Sequence, residues 1–551
     1  MREKASAALD FIFSDIDPGA PGGAAALIVG DAVVATRTAG LAHPRRKEAW
    51  SLRTRARIAS LSKPMAAQVI LHLASAGRVA LDARAGDYLD WLAPPQADVT
   101  LRHMLCMRSG LLEEFPLVYL AHGAGAESAH SLDQRLALIA AQTRLNFARG
   151  ARTLYSNTGY TLLQCIAEAV SGQSFAALLD KIVFAPAHMT RSDFLARDVW
   201  AEGDLGVGHA LRDETLQPLE YLAEATAAGG VASTVEDLVK WAAALRRDPV
   251  WPQMTAPGFA AGDYASGYGL GVERKRLSGL ETFGHAGGLR GWASDFIHVP
   301  SLDATVILLA NRNDLNWYER AREALCLAFD LAPDPGATPR LIARDAPPQA
   351  WRAHYVDVAN GHGLALSGAN GEIAYEGRRV PRAPDGDFIR TVGVEPIRMA
   401  FDAIGEDAPA SVRFTEGEAQ AHYRRADPEG ADSAAIAGVY EADALPGCIA
   451  IARVGEGAVV QVGAAWPQAA PLALKPLHRA VWRAFAHAGS ADDAPLDLHL
   501  FWPDLTDAPH IMEVTMTRLL RYPYRRVGCS AQAERFMRWS RTPAQHFGSG
   551  S

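Results

Sequence analysis

The chain has 551 residues, more than one hydrophobic core usually serves, so two to four domains are expected. It is 49% hydrophobic and 21% charged, with a formal net charge of -8, and lacks the basic surplus that a phosphate backbone demands, which argues against a nucleic acid partner. The longest aliphatic runs, such as "ATVILLA" from Ala304, fall far short of the roughly 18 to 20 apolar residues of a membrane span, so a soluble chain with no membrane partner is expected.

The first segment, "MREKASAALDFIFSDIDPG", reads as a short amphipathic helix. It has no long apolar run before a small-residue cleavage site, so a cytoplasmic location is expected. "AALIVGDAVVATRTAGLA" from Ala25 reads as a hairpin turning near Gly30 and Asp31. Helical patterns follow around residues 60–77, 131–142, 158–171, 174–184 and 235–246. The stretch from Tyr268 to Asn313 is a run of short strands broken by Gly and Pro, as in an antiparallel meander, and a helix near 316–329 closes the unit. This is an α+β pattern, a helical cluster inserted into an antiparallel sheet.

Past "LAPDPGATPR" helical periodicity nearly vanishes. Short alternating segments such as "GLALSGANGEIAYEG", "CIAIARVGEGAVVQVG" and "IMEVTMTRLLRYPYRR" predict two small all-β domains, barrel-like or sandwich-like. With boundaries at "APDPGATP" and "RADPEGADS", the expected layout is an α+β domain over 1–335, antiparallel β domains over 336–432 and 433–529, and a tail over 530–551. The Gly/Ser-rich end of that tail carries no functional reading. The five cysteines are scattered without a CxxC pair and are expected to be reduced and mostly buried. The 17 His show no zinc-type spacing, and no metal or other cofactor is expected.

Chemistry is first hinted at by "RIASLSKPMAAQVILHLASAG" from Arg57. Of 54 Lys and Arg residues only seven are Lys, yet Lys63 stands three positions after Ser60 at the mouth of a helix. Arg cannot give up its proton in a protein, whereas a desolvated Lys can and can then act as a base. Ser60 sits where the first-turn N–H groups point, Lys63 lies about one turn on, and Pro64 is tolerated in the first turn. An S-x-x-K match alone is weak, because an N-cap Ser followed by a surface Lys is the ordinary reading.

Two further stretches strengthen it. "TLYSNTGYTLLQCIAEAVSG" from Thr153 places Tyr155 and Asn157 just before another helix. A Tyr hydroxyl beside an ammonium can shuttle protons, and an Asn can bond both a substrate carbonyl and the Lys. "FGHAGGLRGW" sets His285, Gly287 and Gly288 on or beside a strand, where glycines permit close backbone approach and a strand edge can pair with substrate and offer an N–H to an oxyanion. Taken singly, each has an ordinary structural explanation, a capped turn and a Gly-rich hairpin.

Their order and spacing, S-x-x-K, then Y-x-N, then H-x-G, resemble the penicillin-recognising serine hydrolases, whose β-lactamase branch carries the related S-x-x-K, S-D-N and K-T-G set. "MLCMRSGLL" from Met104 is similar to that superfamily's T-S-G-L segment. The resemblance implies a β-lactamase/penicillin-binding-protein-like catalytic domain acting by an acyl-enzyme. Ser60 would be the nucleophile, Lys63 and Tyr155 the coupled acid–base pair, and Asn157 a ligand of Lys63 and substrate. His285 would stand where K-T-G has its cation, with the backbone of Ser60 and Gly287–Gly288 serving the oxyanion and substrate.

A narrower resemblance, to the bacterial D-aminopeptidase family, covers nearly the entire chain through its layout, "GHAGGLRGW" and the closing "GVYEADAL…YRRV". It implies release of N-terminal D-residues from peptides, amides or esters that carry a free amino group. In that family a loop of the last β domain brings an acidic residue to the amine; the matching stretch "HAGSADDAPLDLHLFW" makes Asp493, with Asp492 beside it, the residue carried over. The rival readings are an esterase, a β-lactamase or D-Ala carboxypeptidase, a peptide-cyclising thioesterase, and a non-catalytic binder. A monomer and a homodimer both stay open.

Overall fold

The computed structural model describes residues 1–123, 130–195, 204–212, 215–219, 224–258 and 267–332, most of 351–462, and 472–486, 496–503, 509–516, 519–528 and 532–533. The first unit is built on an antiparallel sheet of six strands: β1 (Gly23–Val29), β2 (Ala32–Ala39), β3 (Glu273–Leu277), β4 (Leu280–Leu289), β5 (Trp292–Val299) and β6 (Ala304–Ala310). Their spatial order is β3-β4-β5-β6-β1-β2, so the N-terminal hairpin pairs with the end of the meander, Gly23 opposite Ala310. The hairpin turns at Gly30, whose φ of 60° suits glycine.

Its main helices are α1 (Arg2–Ile12), α2 (Ser62–Ser75), α3 (Glu114–His122), α4 (Leu132–Ala140), α5 (Asn157–Ser171), α6 (Val235–Arg247) and α7 (Trp317–Phe329). Against one face of the sheet pack α1 and α7, sharing a core with Leu27, Val306 and Leu308; against the other packs the helical cluster that includes α2, α5 and α6. Every residue of β6 is therefore buried and reads as one apolar run, whereas the edge strand β2 is exposed along most of its length. The α+β class expected from the sequence is what the chain adopts.

Residues 351–425 form a second antiparallel sheet of eight strands in which the first, Trp351–Asp357, lies next to the last, Ala419–Arg425. Residues 438–528 form an eight-stranded barrel, closed where Gly438–Glu441 pairs with Leu519–Gly528. Closure removes the exposed edges that an open sheet would present.

Helix α3, "EFPLVYLAH", is not anticipated by any periodicity in the sequence. An amphipathic pattern needs a polar face, and α3 has almost none. Leu117, Val118, Leu120 and Ala121 are buried in one core with Ile449, Ile451, Val460 and Val462 of the barrel, while the start of the helix packs into the first unit. Among the described residues no single helix is long and apolar enough to cross a membrane. Cys106, Cys165, Cys326 and Cys448 form no disulfide, and burial pushes the thiols of Cys106 and Cys165 up to about 12.

Candidate active site

A short strand, Ala56–Arg57, leads into the Ser60 turn. Ser60 lies in a 3-10 turn, Ala59–Leu61, and the α-helix begins only at Ser62, so the hydroxyl stands just ahead of α2 rather than within it. The turn is strained: Ala59 is buried with φ at 47°, a region an L-residue occupies at a cost. Ser62 stabilises it, donating to the Ala59 carbonyl at 2.7 Å while accepting from the Val231 N–H at 3.1 Å.

Lys63 is fully buried. Its ammonium donates to Ser60 Oγ at 3.1 Å, to Asn157 Oδ1 at 2.8 Å and to the Ala228 carbonyl at 2.8 Å, which matches three donors to three acceptors. Nζ also lies 4.7 Å from the centre of the Tyr155 ring and 5.5 Å from that of Tyr160. A charge taken out of water is tolerated only with such compensation.

Tyr155 is held by the segment that follows Met104. The Met107 carbonyl accepts from the Leu154 N–H at 2.8 Å, and Arg108 donates to the Gly150 carbonyl at 2.7 Å. Gly110, with φ at 71°, passes so close to the Phe147 carbonyl that a Cβ would stand 2.3 Å from its oxygen. "MLCMRSGLL" thus props the Tyr155 loop from below.

His285 lies on β4 with its ring edge-on to Tyr155, centroids 6.2 Å apart. Nδ1 lies 2.5 Å from the Ala286 carbonyl, which can only accept, so Nδ1 carries the proton. Nε2 then accepts from the Tyr268 hydroxyl at 2.8 Å. Burial lowers the ring's pKa to about 4, with Glu273 opposing that shift and Lys63 adding to it. The His285 ring is therefore neutral near pH 7.

The two glycines differ. A Cβ on Gly287 would stand 2.2 Å from both the Ile58 carbonyl oxygen and Ser294 Oγ, so only glycine lets β4 approach the strand that delivers Ser60. Gly288 is exposed with nothing within 4 Å of such a Cβ. Beyond Gly284 the outer side of β4 has no strand partner among the described residues. Gly287→Ala should therefore lower stability by about 1–3 kcal/mol through overpacking, while Gly288→Ala leaves it unchanged. Thermal unfolding of the two variants checks this, and equal melting temperatures would contradict it.

Ser60, Lys63, Tyr155, Asn157 and His285 thus converge from the turn and first residues of α2, the loop and first residue of α5, and β4. Asp492 and Asp493 lie outside the described residues, between the paired barrel strands Val481–Ala486 and Leu496–Phe501. Sequence reasoning missed two participants, Tyr268 and Glu113. The only signal for Glu113 was an acidic pair, "EE", set within the otherwise apolar "GLLEEFPLVYLA". Among the described residues no three His, Cys, Asp or Glu side chains converge as metal ligands do.

A Ser–Lys–Tyr cluster between a helical domain and the edge of an antiparallel sheet defines a class, and the chain belongs to the beta-lactamase family, whose model matches residues 6–328. Within it the chain is similar to the D-aminopeptidase of Cereibacter sphaeroides (strain ATCC 17029 / ATH 2.4.9), 26% identical over 348 residues, which span 62% of this chain and 64% of that protein. It is also similar to the D-aminopeptidase of Gluconobacter oxydans (strain 621H), 25% identical over 78% of this chain and 80% of that one. The chain thus matches just under two thirds of the length of the Cereibacter relative. In fold it resembles an octameric penicillin-binding protein homologue from Pyrococcus abyssi across 95% of its length, with a TM-score of 0.54 and 18% identity.

Proposed function

We propose that the chain is a serine hydrolase that releases N-terminal D-amino acids from peptides, amides or esters, with the chemistry carried by residues 1–335. The observation that carries this reading is the buried Lys63 ammonium 3.1 Å from Ser60 Oγ, with the Tyr155 ring beside it. The relatives named D-aminopeptidase supply the substrate class.

Ser60 Oγ attacks the substrate carbonyl as its proton passes to the Lys63–Tyr155 pair. The oxyanion is stabilised by the backbone N–H groups of Ser60 and Gly288. Tyr155 returns the proton to the departing amine, and water enters by the reverse route to free the acyl group. The open outer side of β4 supports pairing with the substrate backbone. Neutral His285 serves by fixing the Tyr155 ring. Turnover of D-alanyl p-nitroanilide in preference to the L-alanyl compound, nitrocefin and a p-nitrophenyl ester tests the reading; hydrolysis of nitrocefin or the plain ester alone would overturn it.

Asp493 completes the proposal. A free α-ammonium entering a cleft must exchange its hydration for a partner, and a carboxylate meets that need. Asp493→Asn should raise KM for free-amine substrates by on the order of 1.5 to 3 kcal/mol while leaving N-acetylated counterparts nearly unchanged. Equal effects on both substrate types would exclude amine recognition by this residue.

A further inference from the structure

The carboxylate of Glu113 is buried and takes no part in the acyl-transfer scheme above. It stands at the N-cap position of α3, yet its hydrogen bonds run to another helix. Oε2 accepts from the backbone N–H of Asn157 at 2.8 Å and of Thr158 at 3.4 Å, and Oε1 accepts from Asn157 Nδ2 at 2.5 Å. Thr158 answers in kind: its hydroxyl oxygen accepts from the Glu114 N–H at 2.8 Å. The first turns of α3 and α5 thus cap each other reciprocally.

This interlock decides how the Asn157 amide points. A carboxylate offers only acceptors and an ammonium only donors. With Nδ2 facing Glu113, Oδ1 must face Lys63, where it lies 2.8 Å from Nζ. Lys63 in turn donates to Ser60 Oγ at 3.1 Å. An Asn amide turned the other way would set its NH2 group against the ammonium, and Nζ would swing off the nucleophile. Glu113 also has a firm mounting. Glu114, next in the chain, is fully buried, lies 3.4 Å from Arg135 and accepts from Thr161 Oγ1 at 3.1 Å. Two residues before Glu113, the Leu111 carbonyl accepts from Asn146 Nδ2 at 3.2 Å, while Asn146 Oδ1 accepts from the Leu520 N–H of the barrel at 2.9 Å.

We propose that Glu113 is a positioning residue which, by fixing the Asn157 amide, holds the Lys63 ammonium on Ser60 Oγ. The proposal rests on the serine-hydrolase reading of the same site. Glu113→Gln keeps the side chain's size but turns one acceptor into a donor that opposes Asn157 Nδ2. Its relief is a flipped Asn157 that presents its NH2 to Lys63. The variant should lose about 10²-fold in kcat, the scale of a small misplacement of catalytic groups, with KM little changed. The loss should be the same for D-alanyl p-nitroanilide and for an ester with no amino group.

Combining Glu113→Gln with Asn157→Asp restores a donor facing an acceptor and gives Lys63 an oxygen again. The double variant should recover at least tenfold of the lost kcat, whereas Asn157→Asp alone, which sets two carboxylates against each other, should not. Thermal unfolding of all three variants separates misplacement from misfolding. The rate at which a fluorophosphonate labels Ser60 should follow the same order as kcat, and it reads the site whatever the substrate. Labelling of the unaltered protein without turnover of D-alanyl compounds would overturn the aminopeptidase reading and leave the labelling rates to decide on Glu113. No labelling at all would overturn both. An unchanged kcat and labelling rate in Glu113→Gln, a loss confined to free-amine substrates, or no rescue in a folded double variant would overturn the positioning role.

Discussion

Ser60→Ala should abolish covalent labelling by a fluorophosphonate and reduce turnover by on the order of 10⁶-fold, the size seen when a serine hydrolase loses its nucleophile. Neither Ser62 nor Ser156 offers a second candidate. Ser62, two residues on and buried, already donates to the Ala59 carbonyl and accepts from the Val231 N–H, so its proton and one lone pair are committed to the turn. Ser156 is buried and caps α5 by accepting from the Gly159 N–H. Mass spectrometry of the labelled chain locates the adduct, and an adduct on any other residue would remove Ser60 from the role.

Lys63→Arg should be nearly as damaging as Lys63→Ala, each by about 10²–10⁴-fold in kcat/KM, although Arg keeps the positive charge. In the proposed scheme the group sheds a proton during the cycle, which a guanidinium does not do. Space argues in the same direction. Lys63 is fully buried between the rings of Tyr155 and Tyr160, and its three acceptors are arranged around a single nitrogen. A planar fork cannot meet them in that geometry. Steady-state kinetics on the two variants, paired with their melting curves, checks the point. Substantial activity in the Arg form would mean that Lys63 contributes only fixed charge.

Much of this site could be read before any coordinates, for a definable reason. Ser60 and Lys63 are neighbours along one turn, and Tyr155 and Asn157 are neighbours along one loop, so local spacing records their geometry. What spacing cannot record is which loop meets which turn. Glu113 contacts Asn157 across 44 positions and Tyr268 contacts His285 across 17, and neither sits in a pattern that periodicity detects. The charge of His285 was equally hidden, since burial and not sequence keeps that ring neutral. Helix α3 escaped because a segment buried on all sides carries no amphipathic signature. In the β-rich half, alternation gave strands readily, but whether a sheet closes depends on pairing its first and last strands, Gly438–Glu441 and Leu519–Gly528, some eighty residues apart.

The burial of α3 against the barrel bears on the order in which the molecule can mature. During synthesis the first unit emerges well before residues 438–528, and domains generally begin folding in that order. Until residues 449–462 are made and seated in the barrel, Leu117, Val118 and Leu120 lack those partners and remain open to water or to other chains. Glu113 stands at the N-cap of the same helix, and the segment before it, tied through Asn146 to the Leu520 N–H, gains that support only when the last barrel strand is in place. A chain interrupted before the barrel is complete would therefore carry all of the Ser60, Lys63 and Tyr155 motifs and yet expose an adhesive helix beside them, which marks it for aggregation or proteolysis.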